Sequence, residues 1–95
     1  MSTIKRMLSV VMDGIKDAEM TAEYAEEAVL HGADHGVVMW FTSRAQTRTS
    51  MAERDWHEVR DHIHDEKKHD DELMEALECH VNRSLASLKE RVSKL

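Results

Sequence analysis

The chain has no proline, and its only glycines are Gly14, Gly32 and Gly36. Helix can therefore run for long stretches without interruption. Aromatic residues make up only 4% of the 95 positions, which excludes a typical strand-rich composition. Cys79 is the single cysteine, so no intramolecular disulfide can form. Within a helical pattern its expected role is that of a small buried hydrophobe. No apolar run approaches the length of a membrane span. The opening "MSTIKRMLSVVMDG" has a weak basic flank and a short apolar run broken by Asp13, without a clear cleavage site. It is not read as a signal peptide, and a soluble cytoplasmic protein is expected.

Basic excess is lacking too. Thirteen Lys and Arg stand against nineteen Asp and Glu, for a net charge of −6. That argues against direct nucleic-acid binding by phosphate neutralisation. It suits a protein partner with a basic surface. Protonating all seven histidines would move the charge from −6 to +1, so charge can change sharply between about pH 7 and 5.

What is present is helical periodicity. Ile4, Leu8, Val11, Ile15, Ala18, Ala22, Ala25 and Val29 alternate steps of four and three, a coiled-coil-like seam. The seam begins large and turns small, so a partner backbone can approach near Ala18 to Ala25. Ser2 or Thr3 can cap this helix, and Gly32 can stop it. "HGADHG" reads as a tight connection, with Asp34 as N-cap of the next helix. The second stripe is Val38, Phe41, Ala45, Ala52, Trp56, Val59 and Ile63, with Arg48 in the register. The third is Leu73, Leu77, Val81, Leu85, Leu88, Val92 and Leu95.

No apolar residue lies between Ile63 and Leu73, so the second turn is expected there, with Asp65 capping the third helix. Helices over roughly 3–31, 35–63 and 66–94 follow, each about 43 Å long. Near-equal helices with short connections indicate an all-α, antiparallel up-down-up three-helix bundle in a single domain. A rival division breaks the chain at "QTRTS", where Ser50 and Glu53 fit a capping box. It would leave a following helix of about 40 residues, long for a small domain. A chain this short is marginal as a monomer. A homodimer that completes a larger bundle is therefore expected. Met7, Met12, Met20 and Tyr24 lie off the first seam, where they add core contacts or form a dimer face.

The richest polar stretch is "WHEVRDHIHDEKKHDDE". On one unbroken helix, Glu58, His62, Glu66 and His69 would share a narrow arc. Imidazole and carboxylate together suit zinc, iron or manganese. If the chain turns there, these residues are instead a charged, pH-sensitive corner. Asp65, Glu66, Asp70, Asp71, Glu72 and Glu75 make an acidic end that can meet a basic partner. Arg48 on the apolar stripe, with Arg44 beside it, either snorkels or pairs with Glu19 or Glu26 on the first helix. Cys79 and His80 are neighbours in a helix and point about 100° apart, so they form no dyad. No nucleophile elbow or phosphate loop is present, and a non-catalytic role is expected.

"DGIKDAEMTAEYAEEA" is similar to the opening helix of short ferritin-like proteins, which carries acidic metal ligands beside small residues. "FTSRAQTRTSMAERDW" sits where their second helix would hold a Glu-x-x-His pair. The resemblance covers roughly residues 8 to 63. With Phe41 at the usual aromatic position, the ligand positions fall on Arg48 and Met51, which are not normal di-iron ligands. The one Glu-x-x-His is Glu66 to His69. The resemblance thus implies the bundle without its oxidoreductase site, as in small metal-free bundles resembling phage or mobile-element proteins. The leading expectation is an acidic accessory protein presenting a helical face to a partner or to itself. The alternatives are a metal-binding protein using Glu19, Glu23 or Glu26 with Glu66 and His69, and a histidine-driven, pH-responsive oligomer.

Overall fold

Three apolar stripes become three helices: α1 (Thr3–Leu30), α2 (His35–Asp65) and α3 (Asp71–Ser93). The structure, a computed structural model, describes the backbone of residues 3–65 and 71–95 and the side chains of 5–62 and 75–95. Residues 66–70, which include Glu66, His69 and Asp70, lie outside the described residues, as does Ser2. No strand occurs among the described residues, and none of their helices is long and apolar enough to cross a membrane.

Contacts between helices give the direction of each. Asp17 meets Arg48 and Tyr24 meets Phe41, so α1 and α2 run antiparallel. Trp56 meets Asn82 and Glu53 meets Lys89, so α3 returns antiparallel to α2. Glu26 meets Arg91, so α1 and α3 are parallel. This is the expected up-down-up bundle, 51 Å long. Asp65 belongs to α2 rather than capping α3.

The first connection is fixed by backbone chemistry. The Ala33 N–H donates to the Ala28 carbonyl at 2.9 Å, and the Gly32 N–H to the Val29 carbonyl at 3.1 Å. This pair of bonds is a Schellman motif, with Gly32 at C′ and a φ of +68°. The Val37 and Val38 N–H groups then donate to the Asp34 carbonyl, which places Asp34 at the N-cap of α2. An alanine at position 32 would have to adopt the left-handed region. Gly32→Ala is expected to lower stability by roughly 1–2 kcal/mol, read as a shifted urea midpoint with unchanged slope.

Among the described residues the core has two parts. Val11, Ile15, Ala52, Trp56, Val59, Val81 and Leu85 form one, with Met7, Leu8 and Leu77 packed on it. Ala18, Ala22, Ala45, Leu88 and Val92 form the other. The small residues let α1 and α2 approach closely, and α1 packs mainly against α2. A Cβ built on Gly14 would already touch that of Ala52 at 3.7 Å.

The helix does not break at "QTRTS". The Thr49 hydroxyl donates to the Ala45 carbonyl at 2.7 Å, inside its own helix. This bond lets Thr49 lie buried, and Thr42 is buried as well. The core stripe of α2 therefore reads Val38, Thr42, Ala45, Thr49, Ala52, Trp56 and Val59. Phe41 and Arg48, expected on that stripe, flank it at intermediate burial. Val29, expected on the α1 seam, is largely exposed. Cys79, expected inside, is also exposed and accepts from Arg83 at 3.5 Å. The Thr42 hydroxyl is buried without a partner. Thr42→Val keeps the shape and removes the unpaired group. It is expected to raise stability by about 1 kcal/mol, measured by chemical denaturation.

Candidate functional site

α2 carries a second seam beside the core one. Val37, Phe41, Arg44, Arg48, Met51, Asp55, Glu58 and His62 also alternate steps of four and three, and those from Val37 to Glu58 each stand one residue ahead of a position of the core stripe. The core uses the first seam, and α3 leaves this second one uncovered. Val37 and Met51 are exposed on it, and Trp40 is exposed beside it. On the adjacent side of α1, Val10, Asp17 and Tyr24 recur every seven residues. Val10 and Tyr24 are exposed, and Met20 lies between Asp17 and Tyr24 at helical steps of three and four. A shallow groove bordered by Val10, Asp17, Arg48, Met51 and Asp55 runs between the two helices.

Three of the four aromatic side chains gather at the hairpin end of this face. Tyr24 and Phe41 have ring centroids 5.9 Å apart, and Trp40 meets Phe41 edge-on at 4.9 Å. The Arg44 guanidinium lies 4.8 Å from the centroid of Trp40, a cation–π contact. Trp40 remains 56% exposed in spite of these contacts. Arg48 pairs with Asp17 across the α1–α2 groove. Among the described residues, Arg44, Asp55 and Glu58 make no ion pair. The face offers apolar burial framed by charges without an ion pair: Arg44 toward the hairpin, Asp55 and Glu58 toward the far end of α2.

The sequence left Arg48 either to snorkel or to pair with Glu19 or Glu26, and the structure gives it another partner. Arg48 takes Asp17, and Glu26 accepts from Arg91 of α3 at 2.5 Å. The hydrogen bond from Arg91 to Glu26 raises the guanidinium pKa further, against a smaller opposing effect of burial. Its stabilising contribution is therefore fully present below the ordinary arginine value and is lost only as pH rises through the raised one. Both pairs are partly solvated, so each is worth at most about 1 kcal/mol. A double-mutant cycle on Asp17 and Arg48 is expected to show a coupling of that order, and one on Glu26 and Arg48 none.

The remaining candidate ligands are spread out. Glu58 and His62 lie on α2, and Glu19, Glu23 and Glu26 on α1. Asp71 opens α3. α2 ends at Asp65, and α3, starting at Asp71, packs antiparallel on it. Among the described residues, no three His, Cys, Asp or Glu side chains come together as a metal-ion site.

The fold is a small all-α three-helix bundle, and its α1–α2 side carries this exposed apolar and aromatic face. Comparison with protein-family models, curated proteins and solved structures found no match.

Proposed function

We propose that this protein is a non-catalytic interaction module that binds a protein through the outer face of α1 and α2. One observation carries the reading: the core of the described residues is built without Val10, Tyr24, Trp40 and Met51, yet these side chains stand exposed along one side. Large apolar side chains gathered on one exposed face mark interaction sites. Trp, Tyr, Met and Arg are the residue types enriched where protein interfaces bury their core. Arg44 stacked on Trp40 presents a preorganised cation beside an aromatic anchor, which lowers the ordering cost of binding.

The test uses a photo-crosslinking residue in the full-length chain in its source cells. Placed at Met51 or Trp40, it is expected to give adducts of discrete mass. Placed at Ser87, exposed on the opposite side of α3, it is expected to give none. Absence of adducts at Met51 and Trp40, or equal labelling at Ser87, defeats the reading.

A further inference from the structure

We infer that the occupant of this face is a second copy of the chain, with α2 packed antiparallel on α2 about a two-fold axis crossing between Thr49 and Ser50. This inference rests on the outer face being a binding surface, and it names the partner.

The register of the outer seam sets which residues can meet, and the order of its charges carries the argument. In antiparallel helix pairing, seam residues must meet seam residues along the whole contact. A two-fold interface adds that if one residue meets another, the reverse contact also forms. The outer seam satisfies both conditions with all eight positions overlapping about one axis. Arg48 meets the second copy's Met51, Arg44 meets Asp55, Phe41 meets Glu58, and Val37 meets His62. No seam position is left facing a position outside the seam.

Charge selects the direction. The two arginines lie in the first half of the seam and the two carboxylates in the second. A parallel pairing in register would set Arg44 against Arg44 and Asp55 against Asp55, and like charges face to face oppose association. The antiparallel pairing sets Arg44 against Asp55 twice, once on each side of the axis. Neither group makes an ion pair among the described residues, so pairing breaks none. Arg48, already held by Asp17, lays its stem toward Met51 near the axis, where apolar contact is wanted. Val10 and Trp40 flank the contact.

Size is sufficient. The long side of the molecule measures 51 by 20 Å, an outline that can supply the roughly 800 Å² per partner of a standard interface. Pairing two α1–α2 faces would build a four-helix layer with each α3 on the outside.

Within one chain, Arg44 and Asp55 are separated by about 16 Å of helix rise, too far to pair with each other. A charge swap therefore reports only on contact between copies. Sedimentation equilibrium of the full chain over a concentration series is expected to give a dimer. Arg44→Glu and Asp55→Arg are each expected to weaken it by about tenfold or more, since every change acts twice. The chain carrying both substitutions is expected to recover to within about threefold of the original. Circular dichroism of each variant checks that helix content is kept. A monomer at all concentrations, a dimer indifferent to both single changes, or a double variant no better than the singles overturns the inference. A monomer that still gives crosslinks to another protein at Met51 overturns self-pairing and leaves the binding-face reading standing. Loss of those crosslinks overturns both.

Discussion

Trp56→Ala is expected to remove about 3–5 kcal/mol of stability. Trp56 is the largest fully buried side chain, at 1% exposure. It lies in the cluster that joins Val11 and Ile15 of α1, Val59 of α2, and Val81 and Leu85 of α3. Truncation leaves a void shared by all three helices, so no single helix can move to close it. The indole N–H also donates to the Asn82 side-chain oxygen at 2.8 Å, tying α2 to α3. Asn82 is exposed, so its freed oxygen can turn to water and adds little to the loss. Single domains have total stabilities of only about 5–15 kcal/mol, and a chain of this size lies toward the lower end. The variant should be largely unfolded at 37 °C, as read by far-UV circular dichroism against temperature. Trp56→Phe keeps most of the apolar volume and is expected to lose about 1–2 kcal/mol. Equal losses for the two variants would show that the hydrogen bond, not the packing, dominates.

Ala22→Leu should be nearly as damaging, by the opposite mechanism. Ala18, Ala22 and Ala45 are fully buried in the cluster they share with Leu88 and Val92. The added three-carbon branch has no space, and relief requires the helices to separate. Overpacking of this kind costs typically 1–3 kcal/mol. Separation would also strain the Asp17–Arg48 pair and the Tyr24–Phe41 contact on the same helix pair. The expected readout is a lower urea midpoint with altered near-UV dichroism. Ala22→Gly should show only a backbone loss of about 1 kcal/mol. A Leu variant as stable as the parent would mean that this seam is not tightly packed.

The number, order and direction of the helices were legible because large apolar residues recur at steps of three and four. Gly32 and Asp34 were legible because each has a local role that does not depend on tertiary contacts. The α2 stripe was harder. Reading only apolar letters selected Phe41 and passed through Arg48, whereas the buried positions are Thr42 and Thr49 one residue further on. Threonine is half hydrocarbon, and Thr49 satisfies its hydroxyl within its own helix. Once the core seam moves by one residue, Phe41 and Arg48 are freed for the outer seam.

Ion-pair partners were not legible for a related reason. Glu26 can reach either neighbouring helix, and only the packed position of α3 decides for Arg91. Cys79 is two residues from Leu77 and Val81, about 200° around the helix from either. Its place in a helix says nothing about burial until that phase is taken into account.

The two seams of α2 lie one residue apart, so the helix has little tolerance for changes in length. A single residue inserted near Gly36 would advance every later outer-seam residue into a core slot. Arg44, Arg48, Asp55 and Glu58 would then take the places of Ala45, Thr49, Trp56 and Val59 inside the bundle. Four charges would be driven into an apolar interior by one added codon, whereas many single substitutions on the outer seam would leave the fold intact. The α2 sequence can thus drift in composition far more freely than in length. A scan of one-residue insertions along the chain should find α2 among the least permissive stretches and the 31–34 connection more forgiving.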